Sequence, residues 1–369
     1  MELRSSLSTP PARHLSYGLN PLISLLKEYN IDPMTILAAA GIPPQALEDP
    51  TYQLTPHQEL SFTTEVIRSI DIPELGLIVG GRYHLSAYGL LGLAIMTSEN
   101  LLAGMTVLYK NILMTWTYMF WNTTVRGERA YVSLEKLRDL GGSHQYMIDR
   151  GLVASHTIFK EALGKELPVL EVHLKQAKPS YAQAYSDYFK CPVHFDAAEN
   201  YYAFDSKLLY EPLAQSEPET ARIYGNQCEK ICVQLARNST FSDIVRNQIL
   251  SSPREIFTLE TIAEHLNMTA RTVQRKLTAE QSSYKEILED VRHNLAIEYL
   301  QSTSFTIEEI AIRLGYSDSS SFCHAYKRWT GVNPSDIRHR DSATYAARKS
   351  DGGTPAQRRK ALEKCAGSL

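Results

Sequence analysis

Arg271, Thr272, Gln274 and Arg275 cluster around Val273, and Leu277 follows at helical spacing. On a helix that buries Val273 and Leu277, the other four side chains face outward. A guanidinium fork matches O6 and N7 of guanine and a carboxamide matches N6 and N7 of adenine, so the set suits reading base edges in a major groove. Lys276 adds a charge for phosphate. A second set, Ser319, Ser320, Ser321, His324, Lys327 and Arg328, surrounds Phe322 and Tyr326 in the same manner. Its hydroxyls and imidazole fit phosphate and weak base contacts better than bidentate readout. The first set is therefore expected to dominate sequence discrimination.

Both sets need a short helix and a turn to aim them, and the sequence writes that unit twice. Phe257–Leu266 returns 48 residues later as Phe305–Leu314, with Leu259, Ile262, Ala263 and Leu266 matched by Ile307, Ile310, Ala311 and Leu314. Each copy has the apolar spacing of a helix, then a break, then a polar helix, which is helix-turn-helix grammar. Thr306 and Glu309 are spaced for a capping box and Phe305 and Ile310 for a hydrophobic staple. In the first copy Thr261 replaces the Glu, so only one arm of the box is expected. Thr269 should cap the first recognition helix, and Gly315 permits a left-handed turn in the second copy. Tyr284 to Leu300 reads as one connecting helix of about 17 residues, roughly 25 Å long. Such a bar can place two recognition helices in grooves that recur at roughly 34 Å.

With these residues together, 241–340 resembles the DNA-binding domain of the AraC/XylS family of bacterial transcription regulators. The likeness rests on the paired turns, the connecting helix, Leu314 to Phe322 (Leu-Gly-Tyr-Ser-Asp-x-Ser-x-Phe), Tyr326 to Pro334, and Ile337-Arg338. It implies a seven-helix module touching DNA at Arg271, Gln274 and Arg275, then Ser320, Ser321 and His324. His324 stands where the family usually has Arg. The resemblance also implies double-stranded promoter DNA and RNA polymerase as partners, and activation as the commonest role.

The charge balance is unusual for such a module, because 241–340 holds 12 Lys and Arg against 13 Asp and Glu. DNA-binding domains are commonly basic, so the cations are expected to gather at the recognition helices while Glu260, Glu264, Glu308 and Glu309 sit on the helices before the turns. The 369 residues allow two or three domains, and a hydrophobic content of 43% supports real cores. No apolar run spans a membrane and the first twenty residues lack a secretion signal. Five cysteines without framework spacing fit a reducing compartment, and a cytoplasmic protein is expected.

The rest of the chain is expected to divide into a flexible N-terminus (1–19), a mixed α/β effector domain (20–213), a linker helix (214–240) and, after 241–340, a disordered basic tail (341–369). The fold class is thus α+β, a mixed domain followed by an all-α tandem helix-turn-helix. Trp116–Val125, a Gly127 turn and Ala130–Leu134 read as a β-hairpin, His144–Leu163 as a helix and Leu170–Leu174 as a strand. The pattern of Leu25-Leu26 through Pro33, Gly89 to Ser98, and Phe189 to Phe195 is similar to the effector domain of the ornithine and arginine utilisation regulators of the same family. That implies a small-molecule inducer. Tyr109, Trp116, Tyr118 and Trp121 are candidates for the walls of its pocket, and His144, Asp149 and Arg150 for holding a polar group.

Tyr224, Cys228, Ile231, Cys232 and Leu235 form one apolar stripe on the linker helix, which either pairs with a second copy to make a homodimer or docks on its own chain. Cys228 and Cys232 lack the His or further Cys that a tetrahedral metal site needs, so no metal and no cofactor are expected. Some DNA-repair alkyltransferases fuse a reactive Cys to a similar helical module. Cys191-Pro192-Val193-His194 has the wrong order for such a nucleophile, and no enzyme activity is expected. A DNA-binding module without an effector is the remaining alternative.

Overall fold

A computed structural model describes residues 1–6, 13–49, 51–137, 140, 143–237, 240–251, 258–302 and 305–336. The expected tail (341–369), Phe257 at the start of the first repeat, and Ile337-Arg338 lie outside the described residues.

Alternating apolar residues build a six-stranded sheet. Its strands are β1 (Glu2–Arg4), β4 (Met119–Arg126), β5 (Arg129–Lys136), β8 (Tyr201–Asp205), β6 (Val169–His173) and β7 (Val193–His194), in that order across the sheet. All neighbours are antiparallel except β6 and β7. Two further strands, β2 (His14–Leu15) and β3 (Gln53–Leu54), pair separately. Met119, Trp121 and Thr123 of β4 face inward beside Ala130, Val132 and Leu134 of β5, as a period of two requires. Gly127, with a φ of 59°, opens the two-residue turn between them. The strand starts at Met119, three residues later than the sequence pattern predicts. Trp116 lies in the preceding segment, where its indole donates to the Leu15 carbonyl at 3.0 Å.

β1 corrects the expectation of a flexible start to the chain. Glu2, Leu3 and Arg4 pair with Thr124, Thr123 and Asn122, and the free edge of the hairpin supplies their hydrogen-bond partners.

Among the described residues, nine helices of the first part pack on this sheet or on one another: α1 (Asn20–Glu28), α2 (Pro33–Ala39), α3 (Pro56–Ile70), α4 (Leu75–Gly80), α5 (Leu90–Met96), α6 (Leu101–Lys110), α7 (His144–Leu163), α8 (Ala182–Phe189) and α9 (Pro218–Arg237). α7 runs through the core. Gly76 and Gly80 let α4 approach it closely, since a Cβ at either would come within 2.7 Å of α7 atoms. The stripe on α9 docks on its own chain. Cys228 is fully buried in the same core, and Tyr224, Ile231, Cys232 and Leu235 pack against it beside α5 and the turn Ile112–Met114. Of the two alternatives for the stripe, this is docking on its own chain, with Cys228 buried and the other four side chains partly buried. A tethered surface meets its partner at a far higher effective concentration than a separate molecule does.

Among the described residues, a second core is shared by the helices α10 (Phe241–Ser251), α11 (Leu259–His265), α12 (Ala270–Ala279), α13 (Tyr284–Ser302), α14 (Ile307–Arg313) and α15 (Ser319–Thr330). The two turns share one solution. Met268 N–H donates to the Ala263 carbonyl and Asn267 to Glu264, while Tyr316 donates to Ala311 and Gly315 to Ile312. Asn267 and Gly315 both take a left-handed φ, 51° and 75°, as this helix ending demands. Both arms of the first capping box are present, because the Thr261 hydroxyl accepts from the Thr258 N–H at 2.8 Å. Thr thus does the work assigned only to Glu or Gln, which corrects the one-arm expectation.

Candidate nucleic-acid interface and effector cavity

Thr269 caps α12 and Asp318 caps α15, each through its side chain. These caps lie 49 residues apart, whereas the preceding helices repeat at 48, so the second turn is one residue longer. Structural equivalence therefore pairs Arg271 with Ser320, Val273 with Phe322, Arg275 with His324 and Leu277 with Tyr326. The four apolar members are buried.

Arg271, Gln274, Arg275, Ser320, His324 and Lys327 are exposed and carry no side-chain hydrogen bond or ion pair to another described residue. The other sequence candidates are partly engaged. Thr272 shares its hydroxyl with Thr269 at 2.9 Å, and Ser321 donates to Asp318 at 2.8 Å. Lys276 lies over the Phe241 ring at 4.9 Å, and Arg328 pairs with Glu289 at 3.0 Å. Ser319 is half-buried at the start of α15.

The near-neutral charge of this part now has a local account. Asp243, Glu280, Glu286, Glu309 and Asp318 accept from backbone N–H groups at helix starts, where the helix dipole favours anions. Glu289 and Asp290 pair with Arg328 and Arg246. Arg271, Arg275 and Lys327 keep their positive charge facing solvent.

In the first part, an aromatic cavity of about 60 Å³ opens between α7, β4 and the end of α6. Tyr109, Trp116, Tyr118, Trp121 and Arg150, all sequence candidates, line it together with Tyr83 and Tyr88. The last two were missed because they come from the α4–α5 segment, whose sequence gives no sign that it meets the hairpin. Arg150 is buried, donates to the Trp116 carbonyl at 2.6 Å and lies 5.5 Å from the Tyr83 ring centroid. Behind this wall, Glu59 of α3 accepts from the Tyr118 hydroxyl at 2.7 Å and meets His14 Nδ1 at 2.6 Å. Burial alone would raise the Glu59 carboxyl, but His14, Arg150 and Tyr118 more than offset it and hold it below the usual range.

The structure separates His144 and Asp149 from this cavity. Residues adjacent on a helix point about 100° apart, so Asp149 turns away from Arg150 toward α8. There it accepts from Tyr181 at 2.9 Å, from Gln145 at 2.6 Å and from Tyr185. Burial pushes its carboxyl up to about 7, against the lowering effect of those hydrogen bonds. With the folded value above the unfolded one near 4, the stabilising protonated form is lost as pH rises from about 4 to about 7. Asp149→Asn is expected to be more heat-stable than the parent at pH 8 and to converge with it near pH 4. A constant difference in melting temperature across that range would refute this assignment.

Residues 31–213 match the family model described as the arabinose-binding domain of AraC transcription regulator, N-terminal, and 262–340 match a helix-turn-helix domain model. The chain belongs to the AraC family of transcription regulators. This AraC-family chain is 28% identical to the ornithine utilization regulator of Pseudomonas aeruginosa over 319 residues, 86% of this chain and 94% of that protein. It is 26% identical to the regulator VqsM of the same organism over 275 residues, 72% of this chain and 83% of that one. A crystal structure of the regulator CdpR from Pseudomonas aeruginosa aligns with a TM-score of 0.45 at 24% identity, covering 88% of this chain and 98% of that one. These relatives carry the names of regulators. Burial and Glu171 push the Cys191 thiol up to about 11, the reverse of an activated nucleophile. Among the described residues no helix is long and apolar enough to cross a membrane.

Proposed function

We propose that this chain is an effector-responsive transcriptional activator. Residues 241–340 bind promoter DNA with α12 and α15 in successive major grooves, and residues 20–213 take a small-molecule inducer, with the 214–240 segment linking them. RNA polymerase is the partner that activation requires. Arg271, Gln274 and Arg275 read bases, while Ser320, His324 and Lys327 hold the second groove mainly through phosphate. The observation that carries the DNA half is a pair of capped helices, after matching turns, on which Arg271, Gln274, Arg275, Ser320, His324 and Lys327 are exposed with no side-chain hydrogen bond or ion pair to another described residue.

The effector half rests on Arg150. A guanidinium buried among Tyr83, Trp116 and Tyr118 can grip a carboxylate with its paired N–H donors while the rings cover an apolar body. Space for about two waters means that an inducer must part these rings as it enters. The name of the ornithine utilization regulator makes amino acids the first class to test. A contact with the DNA-binding part also supports the reading, since His14 touches Glu59 behind the cavity while the adjacent Arg13 reaches Asp243 in the first turn of α10 at 3.5 Å. Genome-wide footprinting, followed by calorimetry with amino acids, other carboxylates and their uncharged analogues, tests the reading. Sequence-specific footprints that change with one carboxylate support it; no specific footprint refutes the DNA half, and binding only of uncharged compounds refutes the role of Arg150.

A further inference from the structure

The last strand of the sheet brings together three side chains that the regulator reading does not use. β7 is two residues long and runs parallel to β6 with His194 opposite His173. A period of two puts Glu171 and His173 on one face of β6. Their ligand atoms and one from His194 all lie within 4.8 Å of one another. The two imidazoles stack with centroids 4.4 Å apart, and Tyr201 of β8 stacks on His173 at 4.5 Å. Glu171 Oε1 accepts from Arg129 at 3.1 Å, while Oε2 faces His173 Nε2 at 3.5 Å. His194 is exposed and the other two are half-buried, so the cluster is open to ions from solvent.

We propose that Glu171, His173 and His194 form a binding site for a divalent transition-metal ion, with zinc the best match. Two imidazoles and one carboxylate suit zinc, whereas calcium and magnesium prefer all-oxygen sets. Zinc–nitrogen bonds of about 2.0–2.1 Å put tetrahedral ligand atoms roughly 3.3 Å apart, so the cluster must tighten. The exposed His194 side chain can rotate to do this. Arg129 and Tyr201 hold Glu171 and His173 in place, the orienting part that outer groups play around metal ligands. The bound ion leaves its fourth position to water and fastens β7 to β6 beside their two-residue pairing. This site stands apart from the cavity and from α12 and α15.

The test is calorimetric titration of zinc chloride into the full chain after stripping with chelator, alongside melting temperatures with and without zinc. One ion per chain is expected, with a zinc-dependent rise in melting temperature. His194→Ala, an exposed position whose loss should leave the fold intact, is expected to weaken zinc binding at least tenfold and to abolish that rise. Cys228→Ser/Cys232→Ser is expected to bind zinc as the parent does. Absence of saturable binding, binding unchanged by both His173→Ala and His194→Ala, or binding lost only with the two cysteines would each overturn the proposal.

Discussion

Arg271→Ala/Arg275→Ala is expected to lower affinity for the chain's own promoter by about 2–6 kcal/mol, taking about 1–3 kcal/mol for each base-reading arginine. Both side chains project from α12 one turn apart, and neither carries an intramolecular ion pair among the described residues. The inward positions, Val273 and Leu277, are untouched, so the fold should survive the change. The equivalent positions of the second unit hold Ser320 and His324. Ser320→Ala/His324→Ala should cost clearly less, because a hydroxyl and an imidazole cannot make the forked contact to guanine. Fluorescence anisotropy at one fixed salt concentration measures both. The arginine double variant should also lose preference at two base pairs and show a shallower salt dependence. Equal losses in the two double variants would remove the claim that the first unit dominates, and unchanged binding would remove α12 as the reader.

Arg150→Met is expected to abolish the response to inducer and to destabilise the first part of the chain by about 1–3 kcal/mol, because the buried Trp116 carbonyl loses its donor and Glu59 loses one of the charges around it while keeping His14 and Tyr118. Glu59 is 2% exposed, and Arg150 is one of the groups that keep its carboxyl ionised. Methionine keeps the apolar length of the arginine stem, so the loss is mainly one of charge. Arg150→Met/Glu59→Gln separates the two effects. With no carboxylate left to strand, that variant should regain much of the lost melting temperature, while the inducer response stays absent because the guanidinium is gone. Recovery of the response together with stability would show that Arg150 serves the fold and not the ligand.

The DNA-binding part was largely legible as text because its signals are local. Caps at Thr258, Thr269 and Thr306 act within three residues, the left-handed positions Asn267 and Gly315 act within one turn, and the apolar spacing of Ile262, Ile310 and Phe322 marks one helix face each. The partial engagement of Lys276 and Arg328 was not legible. It depends on Phe241 and Glu289, which approach only after packing.

The first part gave up less. Trp116, Tyr118 and Arg150 were named as cavity residues, but Asp149 and His144 were grouped with them by proximity along α7, and helical rotation sends Asp149 to another neighbour. Glu59, His14, Tyr83 and Tyr88 carried no signal, since residues up to 136 positions from Arg150 meet there. His173 and His194 likewise become neighbours only through the parallel pairing of β6 and β7.

By itself, then, the order of residues determined that two capped helix-turn-helix units exist and which side chains of α12 and α15 turn outward. Tertiary packing alone decided that α9 spends its apolar stripe on its own chain, that Glu2–Arg4 becomes an edge strand, and that Arg150 faces a cavity backed by Glu59. The physical reason is range. Hydrogen bonds and side-chain periodicity within a turn are fixed by the nearest few residues, whereas burial is shared among segments whose meeting depends on every other contact in the core.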